Sequence, residues 1–165
     1  MFLLWSLLNL NAKKSLDHKV LTTRVEKKYD IPGGLLYAIM QVESRGHPLA
    51  VYSKQKGHRR KSVRFKTVHE AVEYVTLLQA LGAKNINVGC MQINLKCHTN
   101  TDMALWFSPE YNIEYAAQFL SMLKKRMGSW KSAVAFYHSG SKEMFHETYL
   151  NKVNRYFNGG NLWDM

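Results

Sequence analysis

The stretch Ile31-Pro-Gly-Gly-Leu-Leu-Tyr-Ala-Ile-Met-Gln-Val-Glu-Ser44 decides the fold and points to a chemistry. Pro32 suits the first turn of a helix, where backbone N–H groups have no intrahelical partner. Leu36, Ile39, Met40 and Glu43 then repeat at i, i+3, i+4 and i+7, so they share one face. Every member of that face except Glu43 is apolar. A carboxyl group aimed into apolar surface loses hydration, which favours its protonated form and suits it to general-acid work. The competing reading is a solvated Glu at a helix end.

Outward from this helix, residues 16–30 read as an amphipathic helix with Leu16, Val20 and Leu21 inward. Gly46-His-Pro48 stops the Glu43 helix. Ala50-Val-Tyr52 and Ser62-Val-Arg-Phe65 read as strands of a β-hairpin whose tip is the basic run Lys54 to Lys61. Thr67-Val-His-Glu70 has the pattern of a capping box and opens a helix with Ala71, Val75 and Leu78 inward, closed by Gly82. Asn85 to Asn94 begins as an extended or turning segment. Ser108-Pro109 starts a helix with Ile113, Ala116, Ala117, Leu120 and Met127 inward, ended by Gly128. Trp130 to Tyr137 is a short apolar helix, and a last helix carries Tyr149, Val153 and Tyr156. The fold class is mainly α, a compact α+β domain with a small β-hairpin. The expected division is an apolar segment 1–15, one catalytic domain 16–157 and a tail 158–165.

The chain has 165 residues, 46% of them hydrophobic, and a formal net charge of +11. That composition is globular, and the charge favours an anionic partner: nucleic acid, anionic lipid or an acidic polymer such as cell wall. The apolar start, Met1 to Ala12, is too short to span a bilayer. It resembles the h-region of a signal peptide without the basic n-region, or else is a first helix packed on the core. Cys90 and Cys97 lack a zinc spacing, so no metal and no cofactor are expected. They read as separate small core residues, with a disulfide as the alternative.

Four motifs stand in order along the chain. Glu43-Ser44 ends its helix, Gly89-Cys-Met-Gln-Ile-Asn94 resembles a Gly-Leu-Met-Gln-Ile signature, and Ala133-Val-Ala-Phe-Tyr-His-Ser-Gly140 resembles Ala-Leu-Ala-Ala-Tyr-Asn-Ala-Gly. Glu147-Thr-Tyr-Leu-Asn-Lys-Val153 loosely resembles Glu-Thr-x-x-Tyr-Val-x-x-Val. Together they look like the catalytic domain of the soluble lytic transglycosylases, in the lysozyme-like superfamily. The basic hairpin and Asn87-Val-Gly89 look most like the branch associated with conjugation and type IV secretion machinery.

The resemblance implies cleavage of the β-1,4 bond between N-acetylmuramic acid and N-acetylglucosamine in peptidoglycan. Glu43 would act as general acid and then as base. It also implies export to the periplasm or cell envelope, with glycan strands and secretion machinery as partners. Softer roles pass to the other matched positions. Ser44 is a substrate contact or a local helix terminator. Gly89 would admit sugar to the backbone, Met91 would be an apolar platform, and Gln92 would offer its amide, with Asn94 beside it. Tyr137 matches an aromatic facing the acid, and Glu147 an acidic residue near the cleft, although a helix start favours Glu in any case. Three departures stand out: Cys90 replaces an aliphatic, His138 replaces an Asn, and Ile86-Asn-Val88 stands where the family carries small residues including a Ser.

Other readings are a lysozyme-type hydrolase, a nucleic-acid-binding module resting on the run Lys54 to Lys66, and an inactive assembly factor. No recognised nucleic-acid-binding motif accompanies the basic run, and retention of Glu43 with Tyr137 argues against inactivity.

Overall fold

The computed structural model describes residues 18–54, 61–98, 102–140, 146–157, Asn161 and Trp163. The expectations for residues 1–15, for the hairpin tip and for most of the tail therefore lie outside the described residues. Helix α1 covers residues 18–28, followed by α2 (Leu35–Ser44), β1 (Ala50–Lys54), β2 (Lys61–Arg64) and α3 (Val68–Ala80). Next come β3 (Asn85–Val88), β4 (Ile93–Asn94), a 3-10 turn (Met103–Phe107), α4 (Pro109–Met127), α5 (Trp130–Ser139) and α6 (His146–Tyr156). The chain divides into two compact units, residues 40–116 and the residues on either side of them.

In the flanking unit the inward face of α1 differs from the expected one. His18, Thr22, Val25 and Glu26 are buried, whereas Val20 is 64% exposed. Leu16 lies outside the described residues. Polar residues can occupy the inner face because each finds a partner. The Thr22 hydroxyl is placed to donate to the carbonyls of His18 and Lys19, 2.9 and 3.1 Å away. The Glu26 carboxylate accepts the N–H groups of Gly34 and Leu36, both at 2.8 Å. Those N–H groups belong to the start of α2, where no carbonyl of its own helix can reach them. The helix accordingly begins at Leu35, later than Pro32 suggested. Gly34 at φ +90° cannot be α-helical, and a Cβ there would sit 3.7 Å from the Phe157 ring.

The second half of α4 ties back to α1 through Gln118, whose amide donates to the Tyr29 hydroxyl at 2.8 Å. Its inward stripe ends on Leu123, while Met127, expected inward, is 38% exposed at the helix end. On α6, Tyr149, Leu150 and Val153 are buried and Phe157 follows them, whereas Tyr156, also expected inward, is turned outward.

Residues 40–116 hold a four-stranded antiparallel sheet in the order β2-β1-β3-β4. The hairpin β1–β2 forms as expected, and β3 and β4 extend it. Val63, Val51, Val88 and Ile93 stand in one row across the strands. The capping box is present, with Thr67 Oγ1 accepting the Glu70 N–H and Glu70 Oε2 accepting the Thr67 N–H. Ala71, Val75 and Leu78 are the buried face of α3. Trp106 is fully buried against Tyr111 and Tyr115, and Tyr115 shares a 2.9 Å hydrogen bond with His98. Burial pushes the His98 imidazole below its usual range. Cys90 is buried and Cys97 exposed, both as free thiols.

Candidate functional site

The last turn of α2 carries Glu43. Leu36, Ile39 and Met40 on its face are fully buried, and Glu43 itself is half-buried. The helix ends because Arg45 (φ 58°) and Gly46 (φ 73°) both turn left-handed, and the Gly46 N–H reaches back to the Met40 carbonyl. Ser44, the residue after the acid, is 5% exposed, and its hydroxyl donates to the Cys90 carbonyl at 2.7 Å. The Ser44 carbonyl in turn accepts from the Arg64 guanidinium of β2 at 3.1 Å. Ser44 is thus a tie between two segments.

The segment it holds, Gly89 to Gln92, is the four-residue loop of the β3–β4 hairpin. The Gly89 N–H donates to the Ala50 carbonyl at 3.0 Å. Gln92 takes a left-handed φ of 52°, and its side-chain amide donates to the carbonyls of Gly89 and Ala50 at 2.9 and 3.2 Å. One buried residue organises this loop. Asn112 on α4 accepts the Met91 N–H at 2.7 Å and lies 3.4 Å from the Cys90 sulfur. Its amide nitrogen donates to Val88 and Trp106 carbonyls at 3.3 and 3.0 Å.

These contacts show where the expected site residues stand. A Cβ on Gly89 would collide with the Asn112 amide and the Trp106 carbonyl, so the glycine admits the protein's own groups. Met91 is completely buried and packs in the core. The Asn94 side-chain oxygen accepts the Lys96 N–H at 2.9 Å and shapes the turn after β4. Gln92 stays half-exposed, with its N–H donors already engaged.

The remaining candidates fall in the flanking unit. Tyr137 on α5 is half-buried against Phe119, with ring centroids 5.8 Å apart. His138 stacks on Tyr149 at 3.9 Å and nearly parallel. Glu147 is exposed in the first turn of α6, where a carboxylate favours the helix dipole.

Sequence reasoning missed Asn112, Arg64 and Glu26. Asn112 had a readable signal, because it continues the apolar row Ile113, Ala116, Ala117 and Leu120 as its one polar member. Arg64 looked like one more charge in a basic run.

The elements define a mainly helical, lysozyme-like fold with a small antiparallel sheet. The family model described as the transglycosylase SLT domain matches residues 21–156, and the chain belongs to that family. No curated protein and no solved structure matches it. Membership puts the chain in a transglycosylase class that acts on peptidoglycan. Among the described residues, no helix is long and apolar enough to cross a membrane.

Proposed function

We propose that the chain is a peptidoglycan lytic transglycosylase acting in the cell envelope, with Glu43 performing both proton transfers. The carrying observation is the family match over residues 21–156 together with Glu43, half-buried at the end of an otherwise buried helix face. Protonated Glu43 donates to the oxygen between N-acetylmuramic acid and N-acetylglucosamine, and the glycosidic bond breaks. The ionised Glu43 then takes the proton of the muramic acid C6 hydroxyl. That oxygen closes on the anomeric carbon to give a 1,6-anhydro end, and Glu43 regains its proton. No water is consumed.

A hydrolase would need a second carboxylate, as nucleophile or to activate water. Within residues 40–116, Glu70, Glu73, Asp102 and Glu110 are exposed and engaged on their own helices or turns. This supports the one-carboxylate scheme. Glu114, half-buried on α4, is the control. Of the matched positions, we assign substrate contact to Gln92, Tyr137 and His138, with Glu147 in support. The basic hairpin and Asn87-Val-Gly89 support placing the chain in the conjugation and type IV secretion branch. A transfer defect that Glu43→Gln fails to complement tests that placement.

The deciding experiment is digestion of purified peptidoglycan followed by mass spectrometry. The wild type and Glu114→Gln should release anhydro-muropeptides, and Glu43→Gln should not. Reducing muramic ends would establish a hydrolase instead. Equal cleavage by Glu43→Gln would remove Glu43 from the chemistry.

A further inference from the structure

Outside the residues assigned to cleavage, α1, the α1–α2 turn, α2 and α6 line an open groove of about 330 Å³. Two tyrosines line it: Tyr37, which is half-buried, and Tyr156, 44% exposed on the last turn of α6. The Lys19 ammonium sits over the Tyr37 ring, 5.2 Å from its centroid. The exposed Thr23 adds a hydroxyl. No lining residue is acidic, in a chain of net charge +11.

The turn between the helices is informative. Gly34 needs to be glycine, since its φ is +90° and Phe157 lies against it. Gly33 does not, because it lacks a left-handed φ and a Cβ there would meet nothing within 4 Å. A side chain at Gly33 would stand in the groove. Glycine at this position keeps open a space bounded by two aromatic rings, hydroxyls and a cation.

We infer that this groove is an anchoring site for a carboxylate-bearing amino-sugar strand. The exposed Tyr156 ring offers a face to the C–H surface of a sugar ring, Thr23 bonds its hydroxyls, and Lys19, held over Tyr37, pairs with the carboxylate. The volume lies at the lower end of the roughly 300–1,000 Å³ of small-molecule sites, enough for one or two sugar units. The choice of polymer rests on the reading under Proposed function, since N-acetylmuramic acid carries a lactyl carboxylate. A second hold on the same polymer raises the local concentration of scissile bonds at the enzyme.

The test uses the full chain carrying Glu43→Gln, titrated with N-acetylglucosaminyl-N-acetylmuramic acid bearing a free lactyl carboxylate and followed by amide chemical shifts. Saturable shifts are expected at Gly33, Gly34 and Tyr156, weakened about tenfold by Lys19→Gln through loss of one charge-assisted bond. Gly33→Leu should abolish them while leaving the melting temperature unchanged. If Gly33→Leu unfolds, Lys19→Gln and Tyr156→Ala carry the test. N,N′-diacetylchitobiose, which lacks the carboxylate, should bind at least tenfold more weakly. Absence of shifts at Gly33 and Tyr156, equal binding of the neutral disaccharide, or unchanged affinity in folded Gly33→Leu would overturn the inference. A wild type that releases no anhydro ends yet still shows these shifts would sink the catalytic reading and leave the groove standing.

Discussion

The two ends of helix α2 are held by opposite chemistry. At the start, a buried carboxylate from another helix, Glu26, takes up the Gly34 and Leu36 N–H groups. At the finish, neutral groups and one guanidinium do the holding. The Ser44 hydroxyl binds the Cys90 carbonyl, Arg64 binds the Ser44 carbonyl, and Asn112 fixes the loop that Ser44 reaches. The difference follows from the helix itself. Its N-terminus presents donors and a partial positive charge that an anion satisfies, while its C-terminus presents acceptors that a donor must meet. One acid is therefore spent on architecture. The other, Glu43, stands half-buried on the last turn of the same helix and is the acid proposed for proton transfer.

The sharpest way to break this contrast is to neutralise each acid in turn. Glu43→Gln should lower peptidoglycan cleavage by at least about a hundredfold, the scale of general acid–base catalysis. Its unfolding free energy should stay within about 1 kcal/mol of wild type, because glutamine keeps the size and polarity of the half-buried side chain. Glu26→Ala should do the reverse. One part-buried and one buried N–H group lose their acceptor, at about 1–3 kcal/mol each, so unfolding free energy should drop by about 2–6 kcal/mol. Its kcat at a temperature where it remains folded should hold. If Glu26→Ala leaves the urea midpoint unmoved, the carboxylate is not what fixes the start of α2.

Much of this was readable in the chain. Apolar periodicity located α2, α3, α4, α5 and α6, the Thr67–Glu70 pattern located a capping box, and the motifs located the family. Periodicity failed where polar residues turned inward. On α1 the pattern favoured Val20, but the buried face is His18, Thr22, Val25 and Glu26. A sequence shows that Thr22 or Glu26 is polar; it does not show that a carbonyl or a distant helix start will satisfy it. Met127 and Tyr156 failed for a related reason, since a stripe drawn to a helix end overruns the core. At the site, Glu43 was legible as an anomaly on an apolar face. The packing of Gly89 against Asn112 and the burial of Met91 were not, because a motif does not show what its residues lie against.

A smaller effect should come from the other end of α2. Ser44→Ala removes a 2.7 Å bond to the carbonyl of the buried Cys90. The expected cost is about 1–2 kcal/mol of stability. Because the same bond fixes the end of the helix that bears the acid, kcat should fall roughly tenfold with KM little changed, as for a mispositioned catalytic group. Ser44→Thr, which restores the hydroxyl, should recover part of the rate. A rise in KM at constant kcat would instead assign Ser44 to substrate contact.

The smallest effect is a pH dependence of stability that comes from Glu26. Burial raises the Glu26 carboxyl above its usual 4.5, outweighing the opposing bonds from the Gly34, Leu36 and Tyr37 backbone. A group with a raised folded value binds protons more tightly folded than unfolded. Its contribution is therefore complete below pH 4.5 and is lost as pH rises through the folded value. His98 acts in the other direction: its lowered value makes stability fall as pH drops below 6.5. The two slopes oppose each other in the wild type, so the useful quantity is the difference between wild type and Glu26→Gln, in which His98 cancels. Urea melts from pH 4 to 8 should show the wild type losing stability relative to Glu26→Gln as pH climbs from 4.5. A flat difference would mean that the α2 N–H groups stabilise the charge as fully as water does. The two ends of the helix would then differ in the sign of their partners but not in the energetic cost of burying them.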